Sequence, residues 1–155
     1  MRHQRGSVLL TCILSLPAIM ALMILITAAG SLYITRGRLQ TAADMAALAG
    51  VQELDWDRLA EGQPYLRTEE ARAQALASLH LNLQEIREAR IDEAETVVEV
   101  INASPESPVQ HPRTGRWLEY PTVWVLIEVQ VTAAGLGERQ VRLGASADAT
   151  VEPRR

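Results

Sequence analysis

Between Arg5 and Arg36 the chain carries no charged residue, and most of the residues in this segment are apolar. A helix that spans a bilayer needs roughly 20 mostly apolar residues to cross a hydrocarbon core of ~30 Å. At a rise of ~1.5 Å per residue, a single helix over this segment would reach about 45 Å. The sequence therefore predicts a membrane anchor, with the span at about residues 8–34.

A cleaved signal peptide is the alternative reading of this segment. It has a basic start, an apolar middle and, at 27–29, a Thr-Ala-Ala sequence that resembles a small-residue cleavage site. However, the apolar core is long for a signal peptide, and the pattern continues past the candidate site without a break. We therefore expect the anchor to be retained.

The charges are distributed unevenly along the chain. The apolar segment is flanked by four basic residues: Arg2, Arg5, Arg36 and Arg38. Beyond Arg38, the other 11 of the 15 basic residues face all 19 acidic residues, which gives this part a net charge of −8. An acidic domain attracts neither nucleic acid nor anionic lipid by its overall field. The expected partners are therefore the lipid of the membrane and other proteins, not nucleic acid.

A strongly helix-forming segment follows the anchor, from Leu39 to Leu54. Small residues recur on one face of it: Ala42, Ala43, Ala46, Ala47 and Gly50. Small residues at this spacing let a second helix approach closely, so we interpret this face as a contact surface for a partner helix. The alternative is an ordinary Ala-rich helix that packs on the sheet of its own domain.

The rest of the chain predicts one more helix and a few strands. Thr68 is a good N-cap, and Leu76, Leu79, Leu83 and Ile86 then recur at the spacing of a core-facing helical stripe. Residues 96–101, 122–132 and 140–151 have the composition or alternation of strands, and the glycines at 135 and 137 indicate a turn between the last two. The predicted fold is α+β: a transmembrane helix extending into a long helix, a second helix, and a small antiparallel sheet of about three strands.

Few residues in the sequence indicate chemistry. The three histidines have no spacing typical of a metal site, and no set of nucleophile, base and orienting group stands out. We therefore expect no enzyme activity, no cofactor, no metal and no small-molecule substrate. Trp117, Tyr120 and Trp124 form the one aromatic cluster, and an exported ligand-binding domain that uses Trp117 and Trp124 is the alternative function.

The N-terminal third resembles a known family. Arg5-Gly6-Ser7 precedes the span, and Tyr33 near its end is followed by Arg-Gly-Arg-Leu-Gln at 36–40 and Ala-Asp-Met-Ala-Ala-Leu-Ala-Gly at 43–50. This order is similar to the N-terminal module of Tad/Flp pilus-assembly proteins of the TadE/TadG-like group. The chain departs from many relatives in lacking an acidic residue late in the span, and the residues after Gly6-Ser7 lack the acid that accompanies prepilin cleavage.

The resemblance implies the organisation and role of the whole chain. Residues 1–51 would be the membrane-anchor module and residues 52–155 a small extracytoplasmic α+β domain. The protein would be a non-enzymatic, single-pass component of a bacterial pilus-assembly apparatus in the inner membrane, with a cytoplasmic N-terminus. Its partners would be other pilus-assembly membrane proteins.

Overall fold

A computed structural model describes residues 4–87, 91–132 and 140–152; the side chains of residues 4–12, 85, 87 and 91–93 lie outside this description. Three helices come first: α1 (Gln4–Val51), α2 (Trp56–Ala60) and α3 (Thr68–Arg87). Five strands follow: β1 (Ile91–Ile101), β2 (Val109–Gln110), β3 (Trp117–Leu118), β4 (Thr122–Thr132) and β5 (Gln140–Thr150). The architecture is the predicted α+β fold.

Helix α1 is one continuous element of 48 residues, about 72 Å long at ~1.5 Å per residue. Pro17 lies inside it and removes one backbone donor there. The helix ends at Val51, three residues before the predicted end at Leu54. The chain then turns back, and the backbone of Asp55 donates a hydrogen bond to the carbonyl of Tyr65 at 2.9 Å. This return places α3 beside the C-terminal half of α1, residues 28–51, which we call its outer half.

The main sheet has three antiparallel strands in the order β1-β4-β5. In the register, Val98 of β1 lies opposite Val125 of β4, which lies opposite Ala147 of β5. The predicted pairing of the last two strands is confirmed. The loop between them, which includes the predicted turn at Gly135 and Gly137, lies outside the described residues.

Helices α1 and α3 cover one face of the sheet, and this layer holds the core. The alternating residues predicted to share a face of β4 are all buried there: Val123, Val125, Ile127, Val129 and Val131. The predicted stripe on α3 meets them, with Leu79, Leu83 and Ile86 buried and Leu76 partly buried. Side chains alternate between the two faces of a β-strand, and helices repeat every 3.6 residues. Both buried sets could therefore be predicted from the sequence.

The link between α1 and α3 is fixed by one side-chain amide. The Asn102 side chain accepts a hydrogen bond from the Leu66 backbone N–H at 2.8 Å and donates one to the Leu66 carbonyl at 3.0 Å. It therefore pairs with Leu66 as a neighbouring strand would. Arg67 adds an ion pair to Glu53 at 2.7 Å across the same link. These contacts hold the start of α3 against the end of α1.

Candidate functional surfaces on α1 and the sheet

The inner half of α1 (residues 4–27) is mostly exposed where its side chains are described. From Ile13 to Thr27 the side chains are exposed, apart from the half-buried Ser15. This part includes large apolar residues such as Leu16 and Met23. The helix is long and apolar enough to cross a membrane. An apolar surface of this size without a covering layer in the protein is typical of a segment that lies in lipid.

The outer half of α1 belongs to the folded domain. Ala28 is the first buried side chain among the described residues, and Leu32, Thr35 and Leu39 follow it on the same face as partly or fully buried residues. Farther out, the Gln40 amide donates a hydrogen bond to the Ser146 carbonyl of β5 at 2.9 Å. Residues of α1 from about Ala28 onward thus pack with the rest of the domain.

The small-residue face of α1 lies in this same core. The alanines of this face are at most 2% exposed, and Gly50 is buried with them: Ala42, Ala43, Ala46 and Ala47. The helix that approaches this face is the chain's own α3. In this packing the face is covered by the protein's own elements. The packing on the protein's own helix and sheet is the alternative that the sequence left open.

Gly50 marks the closest approach in this interface. A Cβ atom at this position would lie 2.9 Å from the Ala71 backbone oxygen and 3.1 Å from the Ala75 Cβ and from a methyl carbon of Val123. Because the nearest of these atoms is backbone, it cannot move aside by a change of rotamer. Glycine at position 50 is therefore what lets α1 touch α3 and β4 at once.

The flanking arginines differ in what the structure says of them. Arg2 lies outside the described residues, and of Arg5 only its place in α1 is described. Arg36 and Arg38 are exposed on the outer half of the helix. Within the described part of the chain, neither has a carboxylate within ion-pair distance. Both guanidinium groups are therefore exposed and without an ion-pair partner among the described side chains.

The outer face of the sheet carries a second cluster of polar and aromatic groups, formed by Glu99, His111, Arg113 and Trp124. The His111 ring meets the Trp124 ring edge-on at a centroid distance of 4.8 Å. The Arg113 guanidinium lies 5.7 Å from the Trp124 ring centroid, and its Nε donates to Glu99 Oε1 at 3.1 Å. Trp124 is thereby almost fully buried, so it packs the outer face and is not open to a ligand.

His111 is the one buried histidine of the described chain and is 3% exposed. Its Nδ1 accepts hydrogen bonds from the backbone N–H groups of Arg113 at 3.1 Å and Thr114 at 3.3 Å. Its Nε2 faces Glu99 Oε2 at 3.9 Å. The ring thus shapes the turn between β2 and β3. Among the described residues no three His, Cys, Asp or Glu side chains are grouped to hold a metal ion.

We expect His111→Ala to lower the free energy of unfolding by about 1–3 kcal/mol, because two backbone donors lose their acceptor and Trp124 loses a packing partner. Urea unfolding followed by tryptophan fluorescence measures this. Arg113→Ala is the matched control; its side chain is about half exposed, so the loss should stay below about 1 kcal/mol. Equal losses in both variants would contradict this role of His111.

Trp117 does not join Trp124 in one site. It lies on β3 and is 63% exposed, whereas Trp124 is buried under His111 and Arg113. Near Trp117, the Arg116 guanidinium pairs with Asp148 of β5 and ties the small β2–β3 sheet to the main sheet. The structure therefore separates the two tryptophans that the sequence grouped as an alternative ligand site.

The comparisons with known proteins concern the N-terminal part of the chain. Neither the curated proteins nor the solved structures give a match. The family described as "Putative Flp pilus-assembly TadE/G-like" matches residues 6–53, about a third of the chain. With the apolar helix, this match indicates a single-pass membrane protein related to Tad/Flp pilus assembly. The resemblance found in the motifs is confirmed for residues 6–53, a TadE/G-like segment that runs from the free half of α1 into the domain core.

Proposed function

We propose that the protein is a non-enzymatic, membrane-anchored component of a Tad/Flp pilus-assembly apparatus. The observation that carries this proposal is the TadE/G-like match over residues 6–53, which ends just beyond α1. The matched segment contains both the lipid-facing half of the helix and the half that builds the core. The protein would act through contacts of its membrane helix and domain with other assembly proteins.

The length of the charge-free segment supports the anchoring. From Arg5 to Arg36 the helix rises about 46 Å, close to the ~40–45 Å of a bilayer with its headgroup layers. The two arginines would then lie in opposite headgroup layers, with Tyr33 at the interface where aromatic residues are favoured. Tyr33 is 80% exposed, on the side of α1 that the domain leaves open. The packing on α1 already begins near Ala28, eight residues before Arg36, so the domain would lie directly against the membrane.

We propose that the domain lies outside the cytoplasm and that the N-terminus is cytoplasmic. The charges close to the span nearly balance, so the positive-inside rule does not choose the orientation. The choice rests on the similarity to the Tad family. A folded domain in the exported orientation would be available to other extracytoplasmic parts of a pilus system.

Full-length protein should stay in the membrane pellet after an alkaline carbonate wash, because the free half of α1 has no protein surface to cover it. Protease added to spheroplasts should then digest the domain, starting at exposed sites such as the link at Arg58. A soluble mature chain beginning near Gly30 would show that the anchor is removed. Full protection in sealed spheroplasts would place the domain in the cytoplasm.

The assembly role itself is tested by deleting the gene and counting Flp-type pili by electron microscopy. We expect loss of pili, restored by the full-length chain. A chain in which residues 1–27 are replaced by a cleavable signal peptide is the matched control. It would supply the same folded domain without an anchor and should restore few pili or none. Normal piliation after the deletion would refute the proposed function.

A further inference from the structure

A groove of about 550 Å³ lies between α1 and the last turns of α3, on the side of the domain nearest the span. Its floor is apolar, since Ala42 and Ile86 are buried beneath it. Ile34, Arg38, Thr41 and Asn82 line the rest together with Gly37. The groove therefore combines an apolar base with one cationic side chain.

The position of this groove relative to the membrane limits what it can bind. Ile34 lies one residue beyond Tyr33, and Arg38 lies two residues beyond Arg36, where the charge-free segment has ended. If the arginine at position 36 lies in a headgroup layer, Arg38 lies about 3 Å farther along the helix axis, at the level of lipid phosphates. Ile34, which precedes Arg38 by four residues, then lies on the side of the acyl chains.

The charge of Arg38 is unused within the described part of the protein. Arg58, Arg67, Arg113, Arg116 and Arg142 each lie within ion-pair distance of a carboxylate. Arg36, Arg38 and Arg72 have no such partner among the described side chains, although the chain is acidic overall. The C-terminal end of α3 carries a partial negative charge, but its effect on an anion is weaker than a charge-assisted hydrogen bond from a guanidinium.

We propose that this groove binds the headgroup of an anionic phospholipid, with Arg38 on the phosphate and Ile34 and Ile86 against the first part of the acyl chains. A guanidinium suits a phosphate because its fork of N–H groups matches two phosphate oxygens. The lipid would fix the rotation of the domain about α1 and its height on the membrane. This proposal rests on the anchoring part of the proposed function.

Native mass spectrometry of the full-length protein in an uncharged detergent tests this, with short-chain phosphatidylglycerol and phosphatidylcholine of equal chain length as probes. The wild type should retain one phosphatidylglycerol in preference to phosphatidylcholine. Arg38→Gln should weaken that binding roughly tenfold, the loss typical of one charged hydrogen bond. Arg36→Gln, which removes the same charge outside the groove, should have a much smaller effect.

A second pair of variants tests the shape of the groove. Gly37→Leu should abolish the preference for phosphatidylglycerol by filling the groove, and it should leave the fold intact because a Cβ at Gly37 meets no atom within 4 Å. Gly30→Leu adds the same side chain on α1 outside the groove, also in open space, and should keep the preference.

Three results would overturn the lipid site. They are equal binding of the two lipids, equal losses in the Arg36 and Arg38 variants, and binding of inorganic phosphate at Arg38 without a preference for phosphatidylglycerol. The first indicates binding without selection of the headgroup, the second indicates only diffuse electrostatic attraction, and the third indicates a site for a free anion. Failure of the anchoring would be seen separately, as release of the protein by the carbonate wash.

Discussion

Removing residues 1–27 should yield a folded, water-soluble domain, whereas removing residues 1–51 should yield a chain that does not fold. The shorter deletion takes away the part of α1 whose described side chains, from Ile13 to Thr27, are exposed apart from Ser15. The longer one also removes Leu39, the small-residue face and Gly50, which together form one wall of the core. Without these residues, the apolar side chains of α3 and β4 would be exposed to water. A small domain is only marginally stable, so this loss should prevent folding.

Circular dichroism and cooperative urea unfolding of the two shortened chains measure this difference. The chain that starts at Ala28 should show a cooperative transition, and the chain that starts at Gln52 should show none. Leu39→Ala in the chain that starts at Ala28 disturbs the same part of the core less severely. It should lower the free energy of unfolding by about 2–5 kcal/mol. Leu48→Ala is its control on the same helix, because that side chain is half exposed. Cooperative unfolding of the chain from Gln52 would show that 52–155 is an independent domain.

Gly50→Leu should lower the free energy of unfolding by about 3 kcal/mol, at the upper end of the usual cost of overpacking a core. The added side chain has to displace the Ala71 carbonyl and the Ala75 and Val123 side chains, which surround the position of the new Cβ. Urea unfolding of the full-length protein in an uncharged detergent, followed by tryptophan fluorescence, measures the change.

Gly37→Leu is the matched control for this effect, since it makes the same substitution in the same helix at a position with open space. Leu is a far better helix former than Gly, so this change should raise the stability by up to ~1 kcal/mol. The two variants together separate crowding from helix propensity. A small effect at Gly50 would mean that α1 and α3 can move apart and that the close contact is not essential.

The sequence predicted the elements whose pattern is strong. The charge-free segment predicted the inner half of α1, and the valine alternation of β4 predicted which residues form the core. The start of β1 was missed: the strand begins at Ile91 and not at Thr96, because its first residues are mostly acidic and show no alternation of apolar residues. The two-residue strands β2 and β3 and the one-turn helix α2 are too short to produce a periodic signal.

The role of the small-residue face could not be decided from the sequence. A row of alanines with a glycine allows close helix packing. The same pattern suits a helix of another subunit and a helix of the same chain, so it does not identify the packing partner. The choice depends on where the chain returns after Val51, which short-range patterns do not encode. The burial of Trp124 could not be predicted from the sequence either. The residues that cover it, His111 and Arg113, come from the segment between β2 and β3, which has no periodic pattern.

Because α1 is one continuous helix, a tilt of the span would also tilt the domain. The helix has no break between Thr27 and Val51, and the core of the domain packs against this part of it. A change of ~20° in the tilt of the span, well within the range seen for membrane helices, would therefore swing the far end of α1 by about 12 Å over its outer ~35 Å. A pull or torque on the domain would likewise be transmitted along α1 toward its apolar half.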